Sequence, residues 1–103
     1  MSGFLGAPTS VSLAGVRATR TGVGVRVTWS SASESGVLGY RVYREAAGQR
    51  VPITKRLIPA ASGTGYHRYH RVDRAAPRAT VRYWVEEVRL DGSRTLRGPA
   101  LAR

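Results

Sequence analysis

A strict two-residue period near the start of the chain constrains its fold more than any other feature. From Val23 onward, valines and then Trp29 occupy every second position, with glycine or a polar residue between them. This is the period of a strand that buries one face, and β-branched side chains favour the same structure. A helix would distribute these positions around its whole axis. The pattern therefore predicts a half-buried strand around Trp29, followed by a polar loop over residues 30–36.

The same period returns in later segments. In a second predicted strand Leu38, Tyr40 and Val42 face inward, and a third alternating run begins at Val81. Trp29 and the apolar side chains of these runs should meet in one hydrophobic core, because each strand has an apolar face to bury. The residues predicted to form that core are Val25, Val27, Trp29, Tyr40, Val42, Val81, Tyr83 and Val85.

Turn signals divide the rest of the chain into further short strands. A first strand is predicted over residues 11–18 with a bulge at Gly15, and another over residues 66–72 with Tyr69 and Val72 partly buried. A glycine at a change of phase is typical of a bulge.

Prolines and glycines mark the remaining boundaries. Pro52 and Pro59 confine the segment 50–59 to an edge strand or a loop, because proline cannot donate a ladder hydrogen bond. Asp91-Gly92 predicts a tight hairpin, and Gly98-Pro99 ends or bends the last strand. About seven short strands with frequent turns and no helical period are typical of an all-β, antiparallel two-sheet sandwich.

Length and composition fit one domain with no membrane span. The 103 residues suit a single domain at residues 10–103, preceded by a flexible tail at residues 1–9. There is no cysteine, so neither a disulfide nor a thiolate metal site can form. No apolar run is long enough to cross a bilayer. The segment 1–10 lacks the basic and long apolar regions of a signal peptide.

The net charge of +11 favours association with polyanions such as nucleic acid, or with acidic surfaces. The basic residues are almost all arginines and are scattered along the chain rather than grouped in one block. A GC-rich genome produces the same arginine content without any function. Both explanations of the charge stay open.

Several segments, in this order and spacing, resemble a fibronectin type III domain. The bacterial type, found in large secreted or surface proteins, is the most similar. The resemblance spans about residues 10–102 and rests on Val27-Thr28-Trp29 with the run to Glu34, Gly39–Arg44, Tyr83–Val88, Leu90-Asp91-Gly92 and Gly98-Pro99.

The resemblance implies a seven-stranded Greek-key, immunoglobulin-like sandwich with Trp29 on strand B, the segment 39–44 as strand C and the segment 83–88 as strand F. It also implies a non-enzymatic module that makes protein or carbohydrate contacts in a secreted or surface protein. A cytoplasmic location stays open.

Two positions depart from the family pattern. The tyrosine of the family's tyrosine corner is replaced by Val81. Glu87 stands where the family has a small apolar residue, so it must lie at an exposed strand end, pair with an arginine or mark a bulge. The hairpin turn also lacks an Arg-Gly-Asp sequence, so the integrin binding of some family members does not follow.

The sequence contains no recognisable pattern of catalytic residues. His67 and His70 are the only histidines and face opposite sides of a strand, so they cannot both bind one metal ion without a bulge. Glu86 and Glu87 are adjacent and also point apart, and no nucleophile elbow or oxyanion loop is present. We therefore expect no catalytic residues, no cofactor and no metal.

The candidate contact residues lie on the outer face of the predicted strands C and F. If Tyr40 and Val42 point inward, their neighbours Arg41 and Tyr43 point outward, and by the same argument so do Arg82 and Trp84 on the other strand. Arginine and aromatic side chains are enriched in binding hot spots. The alternative is that arginine stems cover the two aromatic rings and shield the sheet.

Two functions remain in competition, with a hydrolase a third that no residue pattern supports. The first is a non-enzymatic module that contacts other protein domains, a second copy of itself or a glycan through Arg41, Tyr43, Arg82 and Trp84. The second is an electrostatic binder of nucleic acid or another polyanion, which rests on the charge and predicts strong salt dependence.

Overall fold

The computed structural model describes residues 15–61 and 64–103 of the chain. Within these ranges the protein is all-β, with eight strands in two antiparallel sheets and no helix. The strands are β1 (Arg17–Thr21), β2 (Gly24–Ser33), β3 (Val37–Ala46), β4 (Gln49–Pro52), β5 (Ile58–Pro59), β6 (Thr64–Asp73), β7 (Val81–Arg89) and β8 (Arg94–Ala102). The predicted tail at residues 1–9, and Val11 and Leu13 of the predicted first strand, lie outside the described residues.

The two sheets differ in size. The smaller sheet has the strand order β1-β2-β6. The larger sheet has the order β4-β3-β7-β8, and β5 pairs with β3 beside β4. The described segments contain no helix that could cross a membrane.

The core lies between the two sheets and is centred on Trp29, whose side chain is 1% exposed. Its ring stacks on Tyr69 of the same sheet at 5.5 Å and meets the edge of Tyr40 from the larger sheet at 5.7 Å. Such aromatic geometries add to the stabilisation that burial itself gives. All eight residues predicted as core are buried and belong to one cluster.

The strand count exceeds the predicted seven because the segment 50–59 contributes two short strands instead of one. β4 forms the edge of the larger sheet and ends at Pro52, and β5 is a two-residue pairing that ends at Pro59. Both prolines therefore stand where a strand needs no further donor. The division puts both short strands beside β3, which carries half of the predicted contact residues.

Some predicted boundaries and orientations near Trp29 are wrong. β2 continues to Ser33, so the polar loop predicted at residues 30–36 is shorter, and Val23 lies in the preceding turn. Leu38 was expected inside but is 46% exposed, and its neighbour Val37 is buried instead. The reason is an irregularity in the pairing of β3 with β7 between Val37 and Gly39, which shifts the alternation by one residue.

β8 bends at Gly98-Pro99 and then continues to Ala102. The register with β7 shifts here, since Tyr83 pairs with Ala100 while Val85 pairs with Arg97. A β-carbon at Gly98 would lie 2.8 Å from the carbonyl oxygen of Tyr83, so no other side chain fits without movement. The extra residue changes which positions of β8 face outward, which matters for the surface described next.

Candidate functional site

The candidate contact residues lie together on the outer face of the larger sheet. Tyr43 on β3 is directly opposite Trp84 on β7, and Arg41 is opposite Glu86. Arg82 faces Glu45 at the other end of the same strand pair. The four residues named from the sequence therefore share one surface, but two carboxylates stand among them.

The indole of Trp84 is held from two sides. Its Nε1–H donates a hydrogen bond of 2.7 Å to Glu45, which lies diagonally across on β3. The guanidinium of Arg50, on the edge strand β4, lies 4.8 Å from the centre of the ring, within the range of a cation–π interaction. The half-buried ring is thus fixed in orientation by its own domain while part of its surface remains accessible.

Tyr43 is held in the same way by the other carboxylate. Its hydroxyl donates a hydrogen bond of 2.9 Å to Glu86, which is almost fully buried. Burial raises the pKa of Tyr43, and the bond to Glu86 raises it further, because both disfavour the phenolate. Arg94 approaches Glu86 at 3.9 Å from β8. These contacts correspond to the alternative in which the sheet shields its own aromatic residues. Arg50 covers the ring of Trp84, and both aromatic residues donate hydrogen bonds to carboxylates.

The two predicted arginines have no side-chain partner of this kind among the described residues. Arg82 is exposed and Arg41 is half-buried, and neither forms an ion pair in the two described ranges. They flank the Tyr43–Trp84 pair at opposite ends of the strand pair. Both guanidinium groups are therefore available to a partner that brings a carboxylate or a sugar hydroxyl.

Two exposed leucines of β8 extend this surface and were not predicted from the sequence. Leu96 is opposite Glu86 and Leu101 is opposite Arg82, and they are 38% and 43% exposed. In a regular strand positions 96 and 101 would lie on opposite faces. The extra residue at Gly98-Pro99 places both leucines on the outer face. This dipeptide was therefore the feature of the sequence that could have revealed them.

A second group of polar residues, buried between the sheets, was not predicted. Glu34 is 2% exposed and accepts hydrogen bonds from the hydroxyls of Tyr40 and Tyr69 and from the backbone N–H of Ala61. His67 lies 3.8 Å from the same carboxylate. Burial by itself would raise the pKa of Glu34, but the two tyrosine hydroxyls, His67 and the Ala61 N–H together lower it below 4.5. The carboxylate is therefore charged at neutral pH and joins the two sheets.

Asp73 performs the same joining role at the other end of the core. It accepts two hydrogen bonds from the guanidinium of Arg44, at 2.8 and 2.9 Å, and one of 2.7 Å from Tyr83. Val81 has no hydroxyl with which to form a tyrosine corner. Tyr83, two residues later, instead bonds a side chain of β6.

Glu87 is buried and paired with arginines, one of the three arrangements expected for it. Its two carboxylate oxygens bind Arg97 and Arg89, the latter at 2.7 Å. Arg97 also donates to the backbone carbonyl of Ser30, across the sandwich. A carboxylate that faces the core is tolerated here because its charge is compensated on both sides.

In the described part of the chain, the histidines and acidic residues form no group of three that could hold a metal ion. His67 faces the core side of β6, next to Glu34, and His70 faces outward. The expectations of no metal, no cofactor and no catalytic residue stay predictions.

Comparison with known proteins gave no match. No protein-family model matches the chain, and no curated protein and no solved structure is significantly similar to it.

Proposed function

We propose that this chain is a non-enzymatic contact module with the fibronectin type III architecture. The strand order supports this proposal: β1-β2-β6 form one sheet and β4-β3-β7-β8 the other, which is compatible with an immunoglobulin-like Greek-key sandwich whose edge strand is split in two. The buried Trp29 on the second strand supports it as well.

The contact surface we propose is the outer face of the larger sheet. The observation that carries the proposal is the directly opposed pair Tyr43 and Trp84, fixed in orientation and bordered by the exposed Leu96 and Leu101. Held aromatic side chains lose little conformational entropy on binding. Exposed apolar groups next to arginines are typical of protein interfaces. The partner is therefore another protein domain, a second copy of this chain or a glycan.

The setting we propose is a secreted or cell-surface assembly of a bacterium, in which modules of this type occur as parts of larger proteins. The edge strand β4 is short and ends in Pro52, which limits pairing of its edge with another chain. Contact through the face of the sheet is therefore favoured over strand addition at this edge.

Sedimentation velocity at increasing protein concentration tests this surface. The double variant Leu96→Glu/Leu101→Glu should abolish any self-association of the wild-type chain, because it adds two charges beside Trp84. The matched control is Val23→Glu/Leu90→Glu, which adds the same charge at two apolar residues, 57% and 70% exposed, that lie in turns. The control should associate like the wild type.

A panel of immobilised glycans completes the experiment. A wild-type chain that stays monomeric and binds no glycan would contradict both of these forms of the proposal. So would a folded Trp84→Ala variant that retains all the association or glycan binding of the wild type.

A second function, binding of polyanions, is supported by the placement of the acidic residues. All six acidic side chains lie in the described ranges, and none is free of intramolecular contacts. Five of them accept hydrogen bonds from side chains of other strands or turns, as described above, and Asp91 caps the hairpin turn at Ser93. The arginines without a carboxylate partner therefore dominate the electrostatic potential of the surface.

A further inference from the structure

We propose that the outer face of the smaller sheet binds single-stranded nucleic acid. This inference deepens the second function above, on which it rests, by assigning it one face and one ligand. It does not depend on the contact surface of the larger sheet, since the two outer faces lie on opposite sides of the core.

The register of the three strands determines what this face presents. Arg17 of β1, Thr28 of β2 and His70 of β6 form one row across the sheet. The neighbouring rows contribute Arg26 on one side and Arg68 on the other. No outward position of β1, β2 or β6 within the described residues carries a carboxylate.

The arginines of this face are open to solvent. Arg17, Arg26 and Arg68 are exposed, and none of them forms an ion pair within the described part of the chain. Successive outward residues on a strand are about 6.6–6.8 Å apart and neighbouring strands about 4.8 Å apart. Their guanidinium groups therefore form a two-dimensional array over which an extended chain of phosphates can pass.

A shallow groove runs across the array. One hollow of about 400 Å³ lies between Arg17, Ser30 and Tyr66. A second of about 360 Å³ lies between Arg26 and His70. Both are bordered by Thr28 and Arg68, so they adjoin one another. The hydroxyl of Thr28, which borders both hollows, supplies a hydrogen bond to a phosphate or sugar oxygen in the groove.

Tyr66 distinguishes nucleic acid from other polyanions. Its side chain is 62% exposed at the end of the groove, and the guanidinium of Arg68 lies 5.9 Å from the centre of the ring. An exposed ring beside a planar guanidinium offers stacking surfaces for unpaired bases. The bases of a duplex are already stacked on one another, so a single strand fits this face better. A sulfated polysaccharide has no base to stack.

The test is fluorescence anisotropy with a labelled short oligothymidylate at low salt, repeated over a series of salt concentrations. The variant Arg17→Gln/Arg68→Gln should weaken binding about tenfold or more, and lower the slope of log affinity against log salt by about 1.4, or 0.7 for each lost phosphate contact. The matched control Arg74→Gln/Arg78→Gln removes two exposed arginines from the connection between β6 and β7. It should bind nearly as the wild type does.

Two variants of the aromatic residue separate stacking from charge. Tyr66→Ala should weaken oligothymidylate binding about tenfold, as loss of one base–aromatic contact does. Tyr66→Phe keeps the ring and should bind as the wild type does. A sulfated oligosaccharide of equal charge serves as the competitor. The oligonucleotide should displace it from the protein, and its own affinity should be the same for the wild type and for Tyr66→Ala.

The outcomes distinguish this inference from the function on which it rests. If both arginine pairs reduce binding equally, or Tyr66→Ala has no effect, polyanion binding stands but this face and this ligand are wrong. Preferential binding of the sulfated oligosaccharide likewise overturns the nucleic-acid assignment. If the wild type binds neither polyanion at low salt, both proposals are wrong.

Discussion

The outer faces of the two sheets are built from similar residue types but differ in where the carboxylates lie. On the larger sheet Tyr43 and Trp84 each donate a hydrogen bond to a glutamate of the same face. On the smaller sheet Tyr66 and the arginines around it have no glutamate or aspartate between them at any outward position of the described strands. One face pairs its polar groups with carboxylates of its own strands, and the other leaves its arginines without a carboxylate partner in the described residues.

This difference separates side chains that stabilise the fold from side chains that remain free to bind a ligand. A cross-strand network that is satisfied internally stabilises the sheet and fixes its side chains. A face of unpaired arginines adds repulsion within the domain and gains only when an anion arrives. The same residue types can thus contribute to stability on one face and to ligand affinity on the other, which the next measurements can separate.

The largest expected contrast is between the aromatic residues of the two faces. Trp84→Ala should lower the free energy of unfolding by about 2 kcal/mol, because it removes a half-buried ring together with its contacts to Glu45 and Arg50. Tyr66→Ala should change it by less than about 0.5 kcal/mol, since that side chain is mostly exposed. Urea denaturation followed by circular dichroism measures both. Equal losses would show that the two faces do not differ in this way.

The sequence predicted the core well because alternation is a local signal. Trp29 and the valines beside it are buried on the predicted side of β2. The boundaries of β2 were predicted less well, and the one inverted orientation occurs where the alternation is interrupted. Val37 is buried in place of Leu38 because β3 pairs irregularly with β7 at this point. That pairing depends on a strand more than forty positions later in the chain. A local pattern carries no information about such a shift.

The candidate contact residues were placed on the correct face of the sheet, but their hydrogen-bond partners were not predicted. Strand neighbours follow from the fold, so Tyr43 and Trp84 could be placed on one face. That Glu45 and Glu86 accept their hydrogen bonds depends on the register of β3 against β7, which the alternation within each strand does not reveal. The face of the smaller sheet was missed for a related reason. Its arginines are scattered along the sequence and meet only after three strands have paired.

A smaller contrast concerns single polar groups. Glu86→Gln removes the charged acceptor of Tyr43 and should cost about 1 kcal/mol of unfolding free energy. Arg68→Gln on the other face should leave it unchanged or raise it slightly, because that arginine lies among like charges and forms no ion pair in the described residues. Thermal denaturation of the two variants at low and high salt checks this. A comparable loss in Arg68→Gln would mean that the arginine already has a stabilising role.

The smallest contrast is in how the two tyrosines ionise. Burial, and then the hydrogen bond to Glu86, raise the pKa of Tyr43 above its ordinary value of 10.0. The hydrogen bond to Ser30, and then the contact with Arg68, lower the pKa of Tyr66 below the same value. The absorbance of phenolate, followed as pH rises, should therefore lose its earliest component in Tyr66→Phe and a later component in Tyr43→Phe.

The sign of the stability effect follows from the same shifts. Since the pKa of Tyr43 is raised by folding, its contribution to stability is complete below pH 10 and is lost as pH rises through the folded-state pKa. Tyr43→Phe should consequently reduce the steepness of alkaline unfolding. Tyr66→Phe should not, because folding lowers the pKa of Tyr66, so ionisation of that phenol favours the folded state as pH rises. An earlier titration of Tyr43 than of Tyr66 would reverse the comparison. Such a result would mean that the larger sheet stabilises a phenolate better than the smaller one does. This is the less expected outcome, because two glutamates lie on the outer face of the larger sheet.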